Sequence, residues 1–271
     1  MRMKSEEGGK IVLKDKFNMT RKQSISLAKR NVIDYIWKSA NLEGIMITYP
    51  DTEALYKGVN VQSVSVDDIV LINNLKHAWV FVMDTIDYPV DFGYICKVNQ
   101  IVGANLYYSA GYIRNIPVTI GGTDWIPDLP DEATIKREIG ELLQIESATD
   151  RALSLMAYIM RKQIFLDGNK RTANLIANQV LIGKGCGVVS VPQSKMVAFL
   201  EEVKHYYETN ELERFKRYVY DECIEGGEFA EREASDVEKQ DELLLRYDKI
   251  QSEHRIRTLK ENRALYFGGE E

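Results

Sequence analysis

An all-α domain carrying one small β-hairpin is the fold class the sequence predicts, and three observations predict it. Apolar residues recur at helical spacing over most of the chain, and Ser, Thr, Asp and Gly punctuate the segments at short intervals. A single stretch, AGYIRNIPVTIGGTDWIPDLP, instead combines β-prone residues with bounding glycines and prolines. With 271 residues, 45% of them hydrophobic, the chain can fill a sizeable core.

Residues 1–16 are polar, lack the apolar run of a secretory signal and are expected to be disordered. TRKQSISLAKRNVIDYIWKSANLEG places Ile25, Ala28, Val32, Ile36 and Ala40 on one helix face and stops at Gly44. ITYPDTEALYKG reads as a turn and short helix. In SVDDIVLINNLKHAWVFVMDTID, Ser65 can cap a helix whose first turn carries Asp67 and Asp68. VDFGYICKVNQIVG is a further helix, followed by the hairpin at 112–120 and an extended crossing. Segments 131–146, 149–163, 169–184, 193–208 and 210–224 then alternate as helices around short loops. The charged tail carries a thin apolar stripe of Val237, Leu244, Tyr247 and Ile250, which suits a docked surface helix or coiled-coil partner better than a separate domain. The chain thus divides into 1–16, a helical N-terminal region at 17–60, a core at 61–225 and a charged helical tail at 226–271. Pairing of copies through the tail or core helices would make a homo-oligomer.

Charge narrows the function classes. The 35 Lys and Arg against 41 Asp and Glu give a net charge of −6, so a surface coated for nucleic acid or anionic lipid is not expected. The tail shows no recognition-helix pattern, which argues against a DNA-binding regulator. No apolar run approaches the ~20 residues needed to span a bilayer. Cys96, Cys186 and Cys223 are widely spaced without a C-x-x-C pattern, pointing to reduced thiols and a cytoplasmic location.

The chemistry concentrates in RKQIFLDGNKRTAN. Asp167–Gly168 makes a turn and Asn169 opens a helix, so the N–H groups of Gly168, Asn169 and Lys170 should converge on one point, where the helix dipole favours an anion. Lys170 and Arg171 add formal charge, and Arg171 can fork onto phosphate oxygens. Asp167 would be an odd neighbour for a bare phosphate but can hold Mg²⁺ that bridges phosphate oxygens. The alternative is a D-G turn followed by a helix with solvated cations.

These residues resemble the signature of the Fic/Doc family, H-x-F-x-[D/E]-G-N-[G/K]-R-x-x-R. Phe165, Asp167, Gly168, Asn169, Lys170 and Arg171 match, and Lys170 with Thr172–Ala173 is most similar to the Doc-type variant. SANLEG, Ser39 to Gly44, resembles the family's inhibitory pattern [S/T]-x-x-x-E-[G/N], set on a helix ahead of the core. GYIRNIPVTIGG lies where the family has its flap. The resemblance implies a Fic-fold helical domain with a β-hairpin flap, with 17–60 as an inhibitory helix region. It also implies ATP as substrate, Mg²⁺ on Asp167, and phosphates on Gly168, Asn169, Lys170 and Arg171. The implied reaction is transfer of AMP to a Ser, Thr or Tyr hydroxyl of a target protein, although a few members transfer other phosphate-containing groups. Arg114, Asn115, Ile116, Val118 and Thr119 would then align the target as an added strand.

Two positions depart from the signature. Gln163 stands where the family has the histidine that takes the hydroxyl proton. A carboxamide can orient a hydroxyl but cannot accept its proton, and losing a base costs ~10²–10⁴-fold in rate. Asn174 stands in the place of the final arginine, which in the family grips the terminal phosphate and pairs with the inhibitory glutamate. Glu43, with Ser39 and Gly44, is therefore left to Lys170, Arg171 or Asn174. Doc-type members also lack the final arginine but keep the histidine. Two readings follow: a nucleotide- or phosphate-binding regulatory protein, or an enzyme of altered chemistry in which Glu43 activates a water to remove AMP or a target group supplies its own base.

The other candidates are plainer. His77 reads as a core histidine, His205 and His254 as solvated. Gly121–Gly122 lacks the Lys-Ser/Thr ending of a phosphate loop. Tyr206, Tyr207, Tyr218 and Tyr220 read first as packing residues, with self-modification of a tyrosine as the other reading. Glu43 beside Gly44 could equally be an ordinary helix-end carboxylate.

Overall fold

The computed structural model describes residues 12–227. Among these, α1 (Arg21–Leu42), α2 (Tyr49–Tyr56), α3 (Val66–Asp84), α4 (Phe92–Val102), α5 (Glu132–Leu142), α6 (Ala148–Lys162), α7 (Asn169–Lys184), α8 (Met196–Thr209) and α9 (Leu212–Cys223) make a mostly helical body. Short polar side chains set most of the starts. Thr20 and Gln23 form a reciprocal capping box on α1, and Thr48, Ser65, Asp91, Asp131 and Ser147 cap α2 to α6 through N3 amides.

α6 and α7 form the central pair. Ala152, Leu153, Leu155, Ala157 and Ile159 of α6 and Ala173, Ile176, Ala177, Leu181 and Ile182 of α7 are fully buried, and a helix apolar on most faces must lie inside. α1, α3 and α4 pack on α7, while α5 and α9 pack on α6. α7 ends at Gly185, whose φ of +72° needs a glycine; a Cβ there would also strike the carbonyl of Met19, whose N–H bonds Gly185 O. Lys216 of α9, wholly buried, bonds Asp150 Oδ1 at 2.7 Å and Glu213 at 3.1 Å, tying α9 to the start of α6.

The β structure differs from the expected hairpin. Residues 112–120 form no strand pairing: Pro117 lacks a donor, and the amide of Arg114 goes to Ile164 O beside the α6–α7 loop. The small antiparallel sheet lies elsewhere, with β1 (Val188–Val189) against β2 (Ile224–Glu225). The expected disorder of residues 1–16 narrows at its end. Leu13 is buried and Asp15 accepts from Ser147 Oγ and Thr149 N, because that carboxylate completes the cap of α6. The tail stripe from Val237 onward and His254 lie outside the described residues.

Candidate functional site

The loop 163–168 joins α6 to α7 at the floor of a cavity of about 630 Å³. Glu43, Gln163 and Asp167 to Lys170 line the floor, Val118 to Thr123 one wall, and Val197, Leu200, Val203, Lys204 and Tyr207 the wall opposite.

Gln163 ends α6 in the left-handed region, with φ 47° and ψ 58°. This conformation is uncommon for a residue with a Cβ. Its carboxamide is committed at both ends. Nε2 donates to Met160 O at 2.5 Å and to the Tyr207 hydroxyl at 3.4 Å, while Oε1 accepts from Asn169 Nδ2 at 3.1 Å. Asn169, 4% exposed, serves the loop: its Oδ1 accepts from Phe165 N at 3.0 Å and its Nδ2 donates to Phe165 O at 2.8 Å. The side chain expected to face phosphate is thus a staple holding residues 163–169 in one turn.

The other side of the loop is held from α4. Asn99, fully buried, donates to Asp167 O at 3.0 Å and Thr172 Oγ1 at 3.1 Å, and accepts from Gly111 N at 2.8 Å. The Tyr107 hydroxyl also donates to Asp167 O, at 3.1 Å. Gly168, at φ +77°, lies so close that a Cβ would come within 2.5 Å of that hydroxyl. Sequence reasoning missed both Asn99 and Tyr107. The available signal was an amide amid the apolar run of α4.

The expected convergence of three amides is only partly present. Gly168 N donates to Asp167 Oδ1, so that N–H is taken. The N–H groups of Asn169, Lys170 and Arg171 open α7 and have no carbonyl a turn back within the helix. The cations behind them are closely set. The Arg171 side chain is 4% exposed, with Nη2 on Asp167 Oδ1 at 3.1 Å. Its Nε and Nη1 are buried and make no hydrogen bond. Glu43 closes over both cations: Oε2 stands 3.6 Å from Arg171 Nε and Oε1 3.6 Å from Lys170 Nζ, opposed in charge but beyond hydrogen-bond length. Glu43 caps the C-terminus of α1, where a carboxylate opposes the dipole, and the positive start of α7 offsets this. Gly44, at φ +86°, turns the chain away, and its N–H donates to Asn41 O.

Burial pushes the Tyr207 hydroxyl well above its ordinary value, with Glu43 adding to the shift. Burial likewise raises that of Tyr107, which Arg171 partly offsets.

The remaining site residues separate. Asn174 does not meet Glu43. Its Oδ1 accepts from Asn178 Nδ2 at 3.1 Å and its Nδ2 donates at 3.4 Å to Val189 O, which Asn178 also serves at 2.9 Å. Ser39 and Asn174 share a distinct, water-sized cavity. Arg114 does not face a target, being 3% exposed and spent on Gln163 O, Ile116 O, Pro127 O and Asp128 O, so that it staples the flap to the loop. Val118 and Thr119 line the main cavity, whereas Asn115 and Ile116 line a smaller one with Tyr108 and Tyr112. His77 is exposed on α3, not in the core, and His205 pairs with Glu211 at 2.9 Å.

Residues 89–181 match the family model described as Fic/DOC family. Among solved structures, the fold is similar to that of a Fic domain containing signaling protein from Bacteroides thetaiotaomicron, with TM-score 0.63, 17% identity, and 75% of this chain covering 86% of that one. It is also similar to Fic-1 (residues 134–508) from C. elegans, with TM-score 0.63, 20% identity, 72% of this chain and 62% of that one. A Fic family protein from Desulfovibrio desulfuricans gives TM-score 0.61, 14% identity, 72% and 63%. The chain therefore spans under two thirds of the last two. No curated protein matches. Among the described residues no helix is long and apolar enough to cross a membrane.

Proposed function

We propose, from the match of residues 89–181 to the Fic/DOC family model, that the cavity takes a phosphate or Mg-nucleotide at Gly168, Asn169 and Lys170, beside Arg171. The family's common AMP transfer is blunted, which leaves a nucleotide-binding, regulatory role. The observation that carries this is Arg171, a buried guanidinium with Nε and Nη1 unpartnered beside the open amides of α7. Buried donors without hydrogen bonds are costly, and an anion that displaced the Glu43 carboxylate would satisfy them. Asp167 is the carboxylate that would hold Mg²⁺. Its side chain is 59% exposed and borders both the cavity and Arg171, which suits an ion bound by one carboxylate, phosphate oxygens and waters. The ion would supply positive charge to the bridged phosphate oxygens.

AMP transfer needs a proton removed from the attacking hydroxyl while its oxygen bonds the α-phosphorus and pyrophosphate leaves. Gln163 has no basic nitrogen, and its amide is already spent on Met160, Tyr207 and Asn169. Tyr207, held in its neutral form, is no substitute. Glu43 supports a second reading: its Oε1 makes no hydrogen bond and it lines the same cavity, so it could activate a water to remove AMP from a modified protein. In either reading the partner is a protein carrying a Ser, Thr or Tyr hydroxyl, laid along the unpaired stretch 116–119.

Calorimetric titration of the chain with inorganic phosphate and with Mg-ATP tests the anion seat. Binding is expected for the unaltered chain and loss of most of it for Arg171→Ala. No heat and no thermal shift in the unaltered chain would reduce the site to a helix start.

A further inference from the structure

A second cavity, of about 440 Å³, lies at the end of the α6–α7 pair remote from the loop. Its lining comes chiefly from the last turns of α7, the 86–90 link between α3 and α4, and the first turns of α1 and α6. α7 is 16 residues long, roughly 24 Å, so this place is separate from the loop site.

The charge of the lining is opposite to that of the chain. Three cations, Arg21, Arg151 and Lys184, stand against one carboxylate, Asp87, in a chain of net charge −6. Asp87 is taken by Arg21, which leaves the other two. Lys184 is exposed and makes no ion pair among the described residues; Arg151, half-buried, donates only from Nη1, to Ile145 O at 3.1 Å.

Two more groups in the lining are incompletely used. Gln179 is 5% exposed and donates from Nε2 to Ile86 O at 3.3 Å and Tyr88 O at 2.8 Å, while its Oε1 accepts no hydrogen bond among the described residues. A nearly buried acceptor left open is costly, and a donor would satisfy it. The bond from Gln179 also fixes the backbone of Tyr88, whose side chain is 63% exposed and has neither a ring partner nor a hydroxyl partner among the described residues. Its ring is therefore a free aromatic surface at the cavity.

We infer that this cavity binds a small aromatic carboxylate carrying a hydroxyl or N–H donor. Arg151 and Lys184 are the partners of its carboxylate, Tyr88 of its ring and Gln179 Oε1 of its donor. A single negative charge suits the place better than two, because the C-terminal end of α7 carries the negative pole of its dipole and repels a dianion such as phosphate. The volume is that of a small-ligand site. The site does not depend on the anion seat at the loop.

Calorimetry and thermal melting of the full chain with 4-hydroxybenzoate, benzoate and benzamide, at matched ionic strength, test it. 4-Hydroxybenzoate is expected to bind and to raise the melting temperature. Benzamide, which lacks the charge, is expected to bind roughly tenfold more weakly or worse, and benzoate, which lacks the donor, roughly threefold more weakly. Lys184→Ala and Tyr88→Ala, both at exposed side chains, should each weaken 4-hydroxybenzoate by roughly threefold or more. Excess inorganic phosphate should not displace it. No binding of 4-hydroxybenzoate, benzamide binding as tightly, or displacement by phosphate overturns the inference, the last by placing the carboxylate at the loop. Folded variants that both bind 4-hydroxybenzoate unchanged also overturn it, and benzoate binding as tightly contradicts the part assigned to Gln179. Should a variant fail to fold, the ligand series on the unaltered chain decides.

Discussion

Gln163 shows how one side chain can be spent on structure at a position where chemistry is expected. Its three side-chain contacts bind α6, the start of α7 and α8 to one another, at a backbone conformation that carries strain of its own. Gln163→Ala should therefore cost about 1–3 kcal/mol, since Asn169 Nδ2 loses one acceptor and Met160 O its donor; urea unfolding measures it. Gly168→Ala should cost a similar ~1–3 kcal/mol through its φ of +77° and the Tyr107 hydroxyl, and should also weaken phosphate binding by displacing the start of α7. A Gly168→Ala chain that binds phosphate normally would show that the loop does not need its present shape.

Among the elements, the helices were legible because apolar residues recur at helical spacing, and Ser65 before α3 is a local capping signal with a local consequence. The turn at Asp167–Gly168 and the helix start at Asn169 were legible for the same reason. What could not be read was tertiary. The β-prone run at 112–120 has strand propensity but no neighbour to pair with, and the pairing that does form, Val188–Val189 with Ile224–Glu225, is too short to alternate visibly. Asn99 and Tyr107 reach the loop from positions that are distant in sequence, and Arg114 looks like a surface cation until its carbonyl partners are known. The link from α9 to α6 is of the same kind. Lys216→Ala leaves Asp150 buried and unpaired, and a loss of about 3–5 kcal/mol in chemical denaturation is expected.

At the scale of the molecule, burial sets the alkaline limit. It pushes the thiols of Cys96 and Cys186 from 9.0 up to about 11 and that of Cys223 to about 12. The neutral thiol is thus favoured in the folded chain. Because the unfolded chain binds fewer protons in that range, this stability is complete below pH 9 and is lost as pH rises through the folded values. The melting temperature should fall between about pH 9 and 12, and replacing Cys186 and Cys223 by Ala should flatten that fall. An unchanged slope would place the alkaline sensitivity in the buried tyrosines, such as Tyr207.

On the proposed reading an anion is held at Gly168 to Lys170, beside a carboxamide in the place of a base. A side-by-side labelling assay with ATP labelled at the α-phosphate tests that combination most directly, reading label on the chain itself and on lysate proteins. The unaltered chain should transfer none, and Gln163→His should transfer slowly, because Asp167, Asn169 and Lys170 line the same cavity as the new imidazole. Glu43→Gly added to Gln163→His should raise transfer further by freeing Lys170 and Arg171. An unaltered chain that labels proteins at the rate of Gln163→His would contradict the assignment, since Gln163 would then be irrelevant to proton removal.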